Sequence, residues 1–243
     1  MLNPEKKARY DEIAENYKRV TDQIAEAVVR RGGAPVTLLA ATKTVPADEI
    51  EFAITELGLS FVGENRVQEL VSKYDTLRLA RGVHMIGSLQ TNKVRQVVGK
   101  ADMIESVDSR HLADEISRQS VRLGVVSDVL CEINSGREAA KGGVFPEEAD
   151  DFVSYVEALP GIRVRGLMTM APKCTEKCEY LKYFSETYQV FIDISAKKSH
   201  NVVEPVLSMG MSDSYLEAIA SGATLVRVGS AIFGARYYPP KQI

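Results

Sequence analysis

From residue 36 onward the chain alternates short apolar runs with amphipathic stretches, and the unit repeats eight times. The runs fall at 36–42, 61–63, 84–87, 103–107, 129–133, 164–170, 203–209 and 225–228. Each is mainly apolar or β-branched and ends at turn residues or a charge, the pattern of strands buried on both faces. Between them, apolar side chains recur at helical spacing: Ile50, Ala53, Ile54 and Leu57 after the first run, Phe152, Val153 and Val156 after the fifth. Parallel neighbours need a crossover, so the alternation predicts a parallel sheet. Eight units in about 210 residues fit a closed (β/α)8 TIM-type barrel of the α/β class better than an open, doubly wound sheet. An additional N-terminal helix is expected over 4–31, from Ile13, Tyr17, Val20, Ile24 and Val28, with Gly32-Gly33 as its stop. No low-complexity linker breaks the series, which predicts a single domain over 1–243.

Composition removes several classes of function. A net charge of −3 argues against nucleic acid as a partner. No apolar run approaches the ~20 residues needed to cross a bilayer, and the N-terminus lacks the apolar core of a secretion signal. A cytoplasmic protein without a membrane partner is expected. Three cysteines fit a reducing compartment. Cys174 and Cys178 would share a helix face, yet neither has a histidine close in sequence, and His84, His111 and His200 are scattered. No metal site is expected.

In a barrel the carboxyl ends of all the strands converge on one mouth, where ligands bind. Lys43 follows the first run there. It reads either as a side chain that covers apolar wall and keeps its ammonium in water, or as an amine that condenses with an aldehyde. An unperturbed lysine, pKa about 10.4, is almost wholly protonated at pH 7, and apolar surroundings favour the neutral form. The second run leads into Glu64-Asn65-Arg66. The last two runs lead into Ser208-Met209-Gly210-Met211-Ser212 and Gly229-Ser230. Barrels commonly bind phosphate at these two places, where small residues let backbone amides reach an anion. Helix capping by Ser212 and Ser230 uses the same geometry. Arg227 stands inside an apolar run and needs an acceptor, either a buried carboxylate or a group on a ligand. Together an amine, a phosphate cradle and an arginine describe a pocket for pyridoxal 5′-phosphate (PLP). A guanidinium at the ring nitrogen keeps that atom unprotonated and weakens the ring as an electron sink.

At these residues the chain resembles the pyridoxal phosphate homeostasis protein family, which is related to the N-terminal barrel of alanine racemase. The motifs that carry the resemblance are Ala41-Thr42-Lys43-Thr44, Gly63-Glu64-Asn65-Arg66-Val67-Gln68-Glu69, His84-Met85-Ile86-Gly87, Leu207-Ser208-Met209-Gly210-Met211-Ser212-Asp213 and Val226-Arg227-Val228-Gly229-Ser230. The resemblance implies that Lys43 carries PLP as an internal aldimine and that Arg227 faces the ring nitrogen. It implies further that Asn65 lines the pocket and that Ser208, Met209, Gly229 and Ser230 form the phosphate side. Two departures stand out: Val83 where the family often has tryptophan, and Ala140-Lys141-Gly142-Gly143 where it usually has Ser-Lys-Ser-Gly. The expected function is to carry PLP and maintain its intracellular level, without catalytic turnover, as a monomer that passes PLP to PLP-dependent apo-enzymes. A PLP-dependent racemase is the alternative. It needs a second acid–base group opposite the lysine, and only the tail tyrosines Tyr237 and Tyr238 suggest themselves. A cofactor-free Schiff-base aldolase barrel is a further rival. Lys93 and Lys141 are expected near the mouth as solvated charges.

Overall fold

The structure is a computed structural model and describes residues 3–197 and 205–235. Eight parallel strands pair in chain order: β1 (Thr37–Ala41), β2 (Phe61–Glu64), β3 (Gly82–Met85), β4 (Met103–Val107), β5 (Ser127–Ile133), β6 (Ile162–Thr169), β7 (Val206–Ser208) and β8 (Leu225–Val228). The sheet closes where β8 returns to β1, with Leu38 beside Val226 and Leu39 beside Arg227. The expected (β/α)8 barrel is therefore the fold. Helices α1 (Pro4–Arg30), α2 (Ala47–Thr55), α3 (Val67–Ser72), α4 (Tyr74–Leu77), α5 (Arg110–Leu123), α6 (Ala149–Glu157), α7 (Lys177–Lys197), α8 (Tyr215–Ala220) and α9 (Ser230–Phe233) surround it.

Strand parity decides what fills the barrel. Successive side chains point to opposite faces, so Leu39, Ala41 and Leu225 meet Ile86 inside, whereas Ala40, Val226, Val228 and Leu207 join the large core under the helices. Met103, Leu130 and Met168 form a second interior cluster. Arg227 follows Leu225 by two positions and Glu105 follows Met103 by two, so both are carried inward. The interior is thus apolar at the bottom and charged toward the mouth.

The additional N-terminal helix is present as α1. Pro4 opens it and Asn3 caps it, Oδ1 accepting from Glu5 N–H at 3.1 Å. Its buried residues Ile13, Val20 and Ile24 face α8 and α9, each contributing roughly 1.5–3 kcal/mol through burial. The amphipathic stretch after the third run is not an α-helix but a short 3₁₀ segment, Thr91–Gln96, in which Lys93 N–H donates to Gln90 O and Val97 N–H to Val94 O. The first strand stops at Ala41, one residue short of the run over 36–42 and two residues before Lys43. Leu123, near the end of α5, is exposed. His200, Tyr237, Tyr238 and the first two residues of the expected 203–209 strand lie outside the described residues. No helix among the described residues is long and apolar enough to cross a membrane.

Candidate functional site

The segment after β1 turns back on itself between Thr42 and Val45, whose N–H donates to Thr42 O at 3.0 Å. Lys43 and Thr44 occupy the centre of this turn. Lys43 is half-buried and lines a cavity of about 550 Å³, a usual size for a small-molecule site. Asn65, just after β2, lines the same cavity, as do Arg227 on β8 and Gly229 and Ser230 at the start of α9. Five of the seven expected site residues therefore meet in one place.

Ser208 and Met209 do not line it. Met209 packs in the core outside the barrel, and its N–H donates to Leu225 O at 3.1 Å. Ser208 points into the barrel, where its hydroxyl donates to Glu105 Oε2 at 2.6 Å and accepts from Arg227 Nη1. Arg227 Nη2 donates to Thr169 O at 2.9 Å, and Nη1 lies 3.7 Å from Glu105 Oε2. His84 completes the set, its Nδ1 donating to Glu105 Oε1 at 2.6 Å. Burial pulls the Arg227 guanidinium below its ordinary pKa, opposed by Glu105 and Glu132. Burial pushes Glu105 the other way, but hydrogen bonding from His84 and the charge of Arg227 outweigh it and hold the carboxyl below its usual range. Arg227 thus pairs with an interior carboxylate and also borders the cavity.

The two glycine- and serine-bearing loops are joined to each other. Ser212 Oγ accepts from the N–H groups of both Gly229 and Ala231 at 3.2 Å, so it caps the start of α9 rather than the helix that follows it in sequence. Ser214, the residue before α8, takes the Met211 N–H at 3.2 Å. Gly229, just after β8, lies against the end of β1: a Cβ there would sit 2.9 Å from Ala41 O, so any side chain would force the backbone to shift.

Asn65 Oδ1 is buried and accepts no hydrogen bond from the described residues. An unmet polar atom costs about 1–3 kcal/mol, and beside a cavity it marks where a ligand donor belongs. At the rim, Arg9 of α1 donates through Nε and Nη2 to Glu49 of α2 at 3.1 and 2.9 Å, and through Nη1 to Glu12 at 2.8 Å. Lys93 and Lys141 do not line the cavity.

Several members of this assembly escape a reading of the sequence. Glu105 carries the same signal as Arg227, a charge within an apolar run, and shared parity makes it the natural partner. His84, Thr169 and the rim residues Arg9, Glu12 and Glu49 carry no such mark.

Comparison with known proteins gives the chain its family. A family model described as alanine racemase, N-terminal domain, matches residues 9–237. The pyridoxal phosphate homeostasis protein of Aquifex aeolicus is 41% identical over 227 residues, covering 92% of this chain and 98% of its own. That of Escherichia coli K12 is 38% identical over 239 residues, covering 95% and 100%. The chain belongs to the pyridoxal phosphate homeostasis protein family. PipY of Synechococcus elongatus PCC7942, solved with PLP bound, superposes with a TM-score of 0.78 at 30% identity over 91% of this chain and 100% of its own. Alanine racemase of Clostridium difficile superposes with a TM-score of 0.75 at 16% identity, this chain covering 61% of it, which relates the barrel of this family to that enzyme as a fold.

Proposed function

We propose that the protein binds pyridoxal 5′-phosphate reversibly at Lys43 and acts as a carrier that maintains its concentration. In this reading it works in the cytosol as a monomer, through one barrel domain and without catalytic turnover. The observation that carries the reading is the meeting of Lys43, Arg227 and the Gly229-Ser230 corner in one cavity. The names of the relatives and the PLP-bound state of PipY support it.

The donor set fits the molecule. When bound, PLP supplies an aldehyde carbon that an amine holds reversibly, together with a phosphate and a ring nitrogen. Lys43 is the one amine among the described residues lining the cavity. Gly229, whose own N–H is held by Ser212, and Ser230 at the start of α9 offer the small corner a phosphate needs, and Asn65 Oδ1 offers an unused acceptor. Arg227 turns a cation toward the cavity and keeps it there through Ser208, Thr169 and Glu105. In this reading Ser208, whose hydroxyl bonds to Glu105 and Arg227, orients the guanidinium, and Met209 packs behind the loop.

Stereoinversion needs a second acid–base group opposite the lysine, and no tyrosine, histidine or cysteine among the described residues lines the cavity, which is why a carrier is favoured over a racemase. The receivers in this reading are PLP-dependent apo-enzymes. Purified protein incubated with PLP is expected to gain the visible absorbance of a lysine-bound chromophore, and Lys43→Ala to lose it. A wild-type protein that stays colourless would end the proposal. Robust inversion of alanine or another amino acid would reject the carrier in favour of the racemase.

A further inference from the structure

The turn that presents Lys43 is built at a cost. Thr42 and Val45 close it, Lys43 occupies its second position and Thr44 its third, with φ of +63°. Lys43 has no positive φ, so the signs are those of a type II turn, which normally needs glycine or asparagine at the third position. A β-branched residue there is an outlier, and strain of this kind costs roughly 1–3 kcal/mol.

Three charged side chains hold the turn from both sides. Glu69 Oε2 accepts the Thr44 N–H at 2.7 Å. Lys73 Nζ donates to that carboxylate at 2.8 Å, to Thr42 O at 3.1 Å and to Glu64 Oε1 at 3.1 Å. Glu64, wholly buried at the end of β2, also accepts from Thr42 Oγ1 at 2.9 Å, and its buried Oε2 has no hydrogen-bond partner among the described residues. Burial pushes the Glu64 carboxyl up, against Lys73 and Thr42, whereas at Glu69 burial is outweighed by Lys73 and the Thr44 amide, which hold it down. The residues on either side of Lys43 are thus fixed by one network, and nothing in barrel closure calls for it.

We infer that Glu64, Glu69 and Lys73 are positioning residues that clamp a strained turn and so aim Lys43 into the cavity. This rests on the proposed role of Lys43, and it explains why an unsatisfied carboxylate oxygen and a left-handed threonine sit at the same turn. Glu69 supplies the contact that holds Thr44, Lys73 ties Glu69 to the strand, and Glu64 anchors Lys73.

The test uses the full chain and two readouts. Hydrogen exchange at the Thr44 amide, measured without added PLP, reports the clamp directly. The rate of PLP uptake, followed by absorbance, reports its consequence. Glu69→Ala is expected to speed Thr44 exchange and slow uptake, each about tenfold, the scale of one charge-assisted hydrogen bond. Lys73→Met, which keeps the apolar stem, should act in the same direction. Glycine adopts this φ without strain, so adding Thr44→Gly to Glu69→Ala should restore uptake to within about threefold of wild type. Unchanged Thr44 exchange in Glu69→Ala, or slow uptake that Thr44→Gly does not rescue, would overturn the inference. If the wild-type chain takes up no PLP, the carrier reading falls, and Thr44 exchange still decides whether the clamp exists.

Discussion

Arg227 reaches Ser208, Thr169 and Glu105 with one guanidinium and still borders the cavity. Removing it takes the guanidinium charge away from the buried Glu105, which keeps only its hydrogen bonds from His84 and Ser208. Arg227→Ala is therefore expected to lower unfolding stability by about 3–5 kcal/mol, the cost of breaking a buried pair. Denaturant titration measures it, and a loss below about 1 kcal/mol would mean that the pair is dispensable. The same variant should release PLP faster to an apo-acceptor without losing the covalent link at Lys43, and an unchanged release rate would count against Arg227 as a cofactor contact. A second residue-scale prediction concerns Glu132. Burial and the nearby Asp108 push its carboxyl up to about 7, with Arg227 opposing. Its folded pKa lies above its unfolded value of 4.5, so the unfolded chain releases this proton first. Its contribution is full below about 4.5 and is lost as pH rises to about 7, amounting to roughly 3 kcal/mol at about 1.4 kcal/mol per pH unit. Glu132→Gln should remove that slope, matching wild type near pH 5 and exceeding it in stability at pH 8. Parallel stability–pH curves for the two proteins would contradict this.

Among the elements, the strands were the most legible in the sequence because each is covered on both faces. A barrel strand meets helices outside and packed side chains inside, so its apolar run has few polar breaks. The 3₁₀ segment Thr91–Gln96 was not legible, since periods of 3 and 3.6 scarcely diverge over six residues. Site residues divide in the same physical way. Arg227 stood out because charge is rare in such a run, and Lys43 because it follows one. The hydroxyl partner of Ser208, Glu105, is not legible in the sequence, because it lies far away along the chain and only barrel closure brings the two together. The link between β2 and β3 offers an element-scale prediction. A Cβ on Gly87 would lie 2.3 Å from Asn65 O, which is backbone and cannot swing aside. Gly87→Ala should cost about 1–3 kcal/mol or more and displace Asn65 from the cavity wall. Thermal unfolding together with PLP uptake checks this, and wild-type values for both would refute it.

At the scale of the whole molecule, barrel closure turns distant loops into one site. Lys43 follows the first strand and Arg227 lies on the last, and Leu39 lies directly beside Arg227 in the sheet. The first helix then covers the seam, its Arg9 joining α2 through Glu49 and reaching the end of α9 through Phe233 O at 2.6 Å. Every part of the account converges on the Lys43 amine. The most direct test is borohydride reduction of the PLP-loaded protein followed by peptide mass spectrometry. The account predicts a stable pyridoxyl adduct on the peptide bearing Lys43. An adduct on another lysine, with Lys43 unmodified, would contradict it.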